Sequence, residues 1–267
     1  HAIPDDDKAA LRHHLVEAIV VAPRLVQTQL GLCLREAAEA DYPARWPSLI
    51  ADIVANLRTR DEARVHGALF ALRVLARCFE YRRGEARRPL DGVLEQAFPL
   101  ARELLQSLAD AAPSVRAAEL ELLALKAFWS AMQSQMPDAL LDRDTFAPWI
   151  ELLLKLLTKS LPDGAPSDYE GAGAWPPWKV KKRAAKILLR ILNRYGDPQT
   201  ASGFDASGAP RLVAFAKFFR ADYATHVLEA FLKVLELGPA GCICPERLTN
   251  IALNYVCETL KHKAIFA

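Results

Sequence analysis

One local pattern returns along this chain: a proline or aspartate start, a single apolar stripe at steps of three and four, and a polar or proline stop. A sequence that repeats this pattern, with no strand-like alternation between copies, folds as packed helices. Asp5 to Asp7 put negative charge at a helix start, and Leu11, Leu15, Ala18 and Ile19 give a stripe that runs to Ala22. Pro23 opens a second helix striped by Val26, Leu30, Cys33 and Ala37, which ends near Asp41-Tyr42-Pro43. Trp46-Pro47 begins a shorter one with Leu49, Ile50, Ile53, Val54 and Leu57, and Asp61 caps the next, striped by Val65, Leu69, Leu72, Ala76 and Phe79.

The same plan continues. Pro89 starts a long helix through Leu94, Ala97, Phe98, Ala101 and Leu105, in which Pro99 predicts a kink or a break. Pro113 leads into a helix striped by Val115, Ala118, Leu122, Leu125, Trp129 and Met132, and Asp144 is expected to cap one carrying Phe146, Trp149, Ile150, Leu153, Leu154 and Leu157. A loop over 162–174 precedes a helix from Trp175 to Tyr195, which Gly196-Asp197-Pro198 closes. After a loop over 196–208, residues 210–237 read as one bent helix or two, and 245–263 as a last one.

Second helices share an opening: Arg24-Leu-Val26-Gln27, Ala63-Arg-Val65-His66, Pro113-Ser-Val115-Arg116 and Trp178-Lys-Val180-Lys181. The spacing of these valines grows from about forty to about sixty-five residues, the period of a helix pair with longer loops in later copies. That period belongs to HEAT or armadillo solenoids. The expected fold is all-α, a HEAT-repeat solenoid forming a right-handed superhelix of antiparallel helix pairs, each burying its stripe on the next. About five pairs are expected, near 5–40, 47–80, 88–135, 144–195 and 209–263, in one domain over 1–267.

The Trp175 helix carries the strongest charge pattern. Val180, Ala184, Ile187 and Ile191 share one face, while Lys179, Lys182, Arg183, Lys186, Arg190 and Arg194 line another. Burying four such apolar side chains yields about 6 to 10 kcal/mol, against about 20 to 40 kcal/mol of backbone entropy for ordering the helix, so it must lean on neighbours. Lys179, Lys182, Arg183, Lys186 and Arg190 are then the candidate partner-binding residues, or else a solvated face. An acidic protein stretch suits them better than RNA phosphates, because the row lacks interleaved aromatics for base stacking. Trp46, Trp129, Trp149, Trp175 and Trp178 are read as packing residues, with apolar partner-binding anchors as the functional alternative.

The rest of the composition excludes more than it indicates. A net charge of +2 does not advertise nucleic-acid or membrane-surface binding by the whole chain, and no apolar run approaches a membrane span. Five cysteines form an odd set; Cys33 and Cys78 fall in apolar helical patterns where a thiol packs as a small hydrophobe, which points to a reducing compartment. Cys242-Ile-Cys244 lacks a second ligand pair, Cys257 and His262 do not complete one, and His13-His14 read as surface residues, so neither metal nor cofactor is expected. No phosphate-cradling glycine motif and no nucleophile elbow is present, and no enzymatic activity is expected.

Asp41-Tyr42-Pro43-Ala44-Arg45-Trp46-Pro47, the Gly67-Ala-Leu-Phe-Ala-Leu-Arg-Val-Leu-Ala-Arg77 helix, Arg88-Pro89-Leu90 and the Trp175–Pro198 element occur in that order. Together they resemble the importin-beta superfamily of nuclear transport receptors, in the branch of importin seven and importin eight with their fungal relatives. The likeness covers about Asp7 to Lys263 and implies an internal segment of a longer receptor that follows amino-terminal, Ran-contacting repeats. It further implies protein cargo such as ribosomal proteins or histones, regulation by Ran-GTP, phenylalanine-glycine nucleoporins as partners, and a monomer that shuttles between cytoplasm and nucleus through the pore. Nucleic acid and membrane are not expected partners. The loop over 162–174 holds only Asp163, Asp168 and Glu170, where the family often has a strongly acidic insert. The resemblance therefore assigns that loop no role in attracting basic cargo. On the repeats alone, the alternative is a HEAT scaffold subunit of a stable protein complex.

Overall fold

The computed structural model describes residues 3–196, 209–236 and 244–261. The described residues form α-helices joined by turns, with two short 3-10 segments and no strand. In chain order the helices are α1 (Asp5–Val21), α2 (Arg24–Asp41), α3 (Leu49–Leu57), α4 (Glu62–Cys78), α5 (Pro89–Asp110) and α6 (Val115–Met132). They continue as α7 (Arg143–Thr158), α8 (Tyr169–Ala174), α9 (Pro176–Tyr195), α10 (Ala209–Asp222), α11 (Ala224–Glu236) and α12 (Glu246–Lys261). The chain divides into two compact units, one from residues up to 105 together with 123–139, the other from 106–122 together with 140 onward.

The helix ends follow their local chemistry. Asp61 accepts from the backbone N–H groups of Ala63 (2.8 Å) and Arg64 (3.1 Å), satisfying two donors that α4 leaves without intrahelical partners. α9 begins with Pro176 and Pro177 in its first two positions and closes on Gly196, whose N–H donates to Leu192 O at 2.8 Å. At the start of α7 the residue in the capping position is Asp142 rather than Asp144, and its side chain makes no capping bond. Pro99 does not break α5, which runs as one helix from Pro89 to Asp110. The expected loop over 162–174 contains the short α8, capped by Asp168, whose carboxylate accepts from Gly171 N at 2.7 Å. The last part of the chain holds two helices, α10 and α11, separated at Tyr223, and then α12.

In the first unit, α4 is the hub, packing on α1, α2 and α3. Leu15, Val16, Ile19 and Val20 of α1 and Leu69, Ala71, Leu72, Leu75 and Ala76 of α4 are buried together with Leu34 and Ala38 of α2. The approach of α4 to α1 needs Gly67, because a Cβ there would lie 2.6 Å from Val20 Cα. The Asp41–Pro47 turn is fixed by one buried carboxylate. Asp41 pairs with Arg12 at 2.6 Å and Arg45 at 3.7 Å, its carbonyl accepts from Arg45 N and Trp46 N, and Trp46 is buried beside it in sequence.

Two expectations fail here. The stripe of α2 is rotated by one residue: Gln27, Gly31, Leu34, Ala38 and Asp41 are buried, whereas Leu30 and Ala37 are half-buried and Cys33 and Val26 are exposed. The reason is polar and steric. The Gln27 amide donates to Ile19 O at 3.0 Å, and the Phe70 ring lies where a Cβ of residue 31 would be, 2.7 Å away, so a glutamine and a glycine occupy the buried line. The shared valine also does not mark one core position, since Val65 and Val180 are 6% and 3% exposed but Val26 and Val115 are 48% and 38% exposed. Val26 is the third residue of its helix, Val65 the fourth, Val115 the first and Val180 the fifth, so alignment by valine shifts the helices by up to more than a turn.

In the second unit, α9 is the hub. It packs on α7, α8, α10, α11 and α12, and α11 packs in turn on α7, α10 and α12. Phe215 of α10 meets Phe146 of α7 at 4.8 Å and Tyr195 of α9 at 5.6 Å, both edge to face, while Phe231 and Tyr255 stack at 4.4 Å.

Candidate partner-binding surface

α9 has an apolar face, as its pattern predicts: Val180, Ala184, Ile187 and Ile191 are buried. The burial extends further than that stripe, to Trp178, Lys181, Ala185, Leu188, Leu192 and Tyr195. A helix clasped by five neighbours has little left for a solvated row. Of the five candidate residues only Lys186 is exposed, while Lys179, Lys182, Arg183 and Arg190 are half-buried. The basic row is therefore not one continuous open face.

Two different environments replace it. The first is closed and centres on Lys181, 3% exposed, which the stripe count left out of both faces. Its ammonium donates to Leu157 O (2.7 Å) and to Lys159 O, the carbonyls that α7 leaves open at its C-terminus. Lys159 in turn donates to Leu108 O at 2.7 Å and pairs with the buried Glu121 at 3.1 Å. Of the two lysines, Lys159 alone pairs with the buried carboxylate, while Lys181 is held by backbone carbonyls. Burial pushes the Lys181 pKa down to about 8; Cys244 and Glu121 raise it, and Lys159 lowers it further. The cavity beside this cluster measures about 20 Å³, room for one water and no ligand.

The second environment is open. A groove of about 350 Å³ is lined by Tyr169, Glu170 and Gly173 of α8, Lys182 of α9, and Pro245, Glu246 and Arg247 at the start of α12. Lys182 sits half-buried in it, its pKa lowered first by burial and then by Arg247, Lys186, Lys179 and Arg183. Among the described residues Lys179, Lys182, Lys186 and Arg247 close no ion pair, and neither Glu170 nor Glu246 reaches them. Arg247 had no sequence signal, because only the packing of α12 on α9 brings it to Lys182.

The remaining candidates behave as packing or surface residues. Trp46, Trp149 and Trp178 are buried, and Trp129 and Trp175 are half-buried. His13 and His14 are exposed, and their rings meet edge to face at 4.7 Å. Cys78 is buried as expected, Cys33 and Cys257 are exposed and Cys244 is intermediate; Cys242 and His262 lie outside the described residues. No group of three or more His, Cys, Asp and Glu side chains among the described residues could hold a metal ion, and no described helix is long and apolar enough to cross a membrane.

Similarity to known proteins runs through the whole chain. An importin beta-like SAD2 homolog of Arabidopsis thaliana is 32% identical over 97% of the chain, and importin-8 of Mus musculus is 28% identical over 97%. The chain spans about a quarter of the length of each, 24% and 25%. Among solved structures, the exportin Cse1 in its cargo-free, cytoplasmic state superposes with a TM-score of 0.70 at 13% identity, over 100% of this chain and 27% of that one. No family model matches. The likeness to that exportin is one of fold and identifies the architecture as an all-α HEAT-repeat one.

Proposed function

We propose, from the premise that this chain belongs to the importin-beta superfamily in its importin-8 and SAD2-like branch, that it forms part of a karyopherin-type nuclear transport receptor. The observation that carries the proposal is a likeness of 32% identity over 262 residues, 97% of the chain. A segment of this type contributes surface, not reactive groups. Stacked helix pairs offer a long face to protein cargo such as ribosomal proteins or histones, and apolar grooves between outer helices suit the phenylalanines of nucleoporin repeats.

Release requires a second state. Ran in its GTP form removes cargo only if it prefers a curvature of the receptor that binds cargo worse, and a nearly complete exchange needs a preference of about 5 kcal/mol. Among the helix contacts, α1 packs on α2, α3 on α4, α7 on α9 and α11 on α12, and Phe98 and Phe128 are in contact between α5 and α6. This pairing supports a repeat organisation in which each pair needs its neighbours. The receptor acts as a monomer and shuttles between cytoplasm and nucleus through the pore.

The test is a pull-down with the longer parent protein, offered GTP-locked Ran and phenylalanine-glycine repeats separately. Retention of both, with loss of bound cargo on adding Ran-GTP, is the expected result. Binding to neither sinks the proposal, and cargo that stays bound in the presence of Ran-GTP points to a stable scaffold instead.

A further inference from the structure

The groove beside Lys182 has a charge pattern that selects among partners. Its two basic residues arrive from helices far apart in sequence, Lys182 from α9 and Arg247 from α12, and both remain without an acidic partner among the described residues. Lys179 and Lys186 flank Lys182 on α9, three residues before it and four after, so they stand on the same side of the helix. Like charges held together in a half-buried setting cost energy in the free protein. An anion that settles among them recovers that cost.

The walls of the groove decide which anion. Tyr169 is 70% exposed, and with Pro245 and Gly173 it offers apolar surface and open backbone beside the cations. Glu170 and Glu246 also line it. A nucleic-acid strand carries a charge on every nucleotide, and passing both glutamates sets phosphates against them. A protein segment can place carboxylates at the two cations and uncharged residues at the glutamates.

We propose that the groove between α8, α9 and the start of α12 is a docking site for an extended acidic protein segment, whose carboxylates pair with Lys182 and Arg247. Lys179 and Lys186 steer the segment toward the groove, and Glu170 and Glu246 in its lining disfavour carboxylates set beside them. An uninterrupted run of acidic residues binds less well than one with uncharged spacers. The site stands on the geometry of this chain alone and does not depend on the transport reading.

The experiment is fluorescence anisotropy on the 267-residue chain with a labelled synthetic peptide in which Asp-Glu pairs alternate with Leu-Gly pairs. The comparison probe is a single-stranded oligouridine of matching length. The peptide is expected to bind, more weakly as salt rises, and the Lys182→Glu, Arg247→Glu double variant to weaken it by about tenfold or more. Arg58→Glu, which reverses an exposed cation in the other unit, should leave binding within about twofold. Glu170→Gln with Glu246→Gln should tighten the peptide and also admit the oligonucleotide. Circular dichroism confirms that each variant retains its helix content, and the single variants Lys182→Gln and Arg247→Gln replace the double reversal if it does not. The proposal is overturned if the peptide does not bind, if Arg58→Glu weakens it as much as the groove variants do, or if the oligonucleotide binds more tightly through the same two residues. Failure of the longer receptor to bind Ran or nucleoporin repeats would leave this result untouched.

Discussion

Each unit buries a basic residue that closes the end of a helix, Arg87 in the first and Lys181 in the second, and the two do so with different chemistry. In the first unit Arg87, 7% exposed, donates to Phe79 O (3.2 Å), to Ala131 O and to Gln135 O (3.0 Å), so one guanidinium serves carbonyls just beyond α4 and at the end of α6. In the second, Lys181 serves Leu157 O and Lys159 O at the end of α7. The guanidinium is planar, forked and always charged; the ammonium is a compact cation that gives up its proton when burial is severe. The first junction is therefore indifferent to pH over the accessible range, while the second loses its charge as pH rises past about 8. A helix end can be closed by a permanent cation or by a conditional one, and this chain uses each once among these two sites.

The largest way to break that comparison is Arg87→Met. The variant removes a donor from the buried carbonyls of Phe79 and Ala131 and from the part-buried one of Gln135, although Phe79 O keeps the Arg82 N–H, and the first unit should lose about 2 to 3 kcal/mol. Urea unfolding checks it, and a loss below about 1 kcal/mol would mean that water replaces the guanidinium. Next is Glu121→Gln, which removes the carboxylate that Lys159 pairs with while keeping a hydrogen-bond acceptor. A cost of about 2 kcal/mol is expected, since the amide no longer offsets a buried cation. The same change should move the Lys181 pKa lower still, because the Glu121 charge is one of the influences raising it.

The existence of the helices other than α8 was legible in the sequence, with 210–237 left as one helix or two, and some of their ends were legible too, because Asp61, Pro176-Pro177 and Gly196 act on neighbouring backbone through rules that need no tertiary partner. The family, too, was legible, from four ordered motifs. What failed were statements about faces. A glutamine that bonds to another helix and a glycine that receives a ring put the buried line of α2 where a hydrophobicity count finds nothing apolar, and the valines shared by second helices sit at different depths. The candidate surface was half legible. Lys182 was in the basic row, yet its partner Arg247 lies more than sixty residues on and only folding joins them. Lys181 was invisible for the opposite reason: a lysine in a basic helix reads as solvated, and nothing in its neighbours along the chain announces that two carbonyls at the end of α7 await it.

The smallest effect sharpens the comparison most, because it separates the two cations by protonation alone. In the folded chain Lys181 holds its proton less tightly than the ordinary 10.5, at about 8. Below pH 8 both folded and unfolded chains carry that proton, and the fold bears the full cost of a buried charge, about 3 kcal/mol. Between about 8 and 10.5 the folded chain releases it first, the unfolded chain binds more protons, and stability rises with pH. From pH 7 to pH 9 the gain attributable to this group is about 1.4 kcal/mol. Cys78 works the other way: burial pushes its thiol up to about 12, so from about pH 9 the unfolded thiol ionises while the folded one stays neutral, and stability falls. The two are separated by comparing the parent chain with Lys181→Met, in which the thiol contribution is retained. The parent should gain on the variant by about 1.4 kcal/mol over that interval, and lysine-selective NMR should show one resonance titrating near pH 8 that Lys181→Met removes. The matching comparison with Arg87→Met should give a constant difference across the same pH range, since nothing at that junction changes charge; a slope there, or a flat line for Lys181, would erase the distinction between the two helix ends.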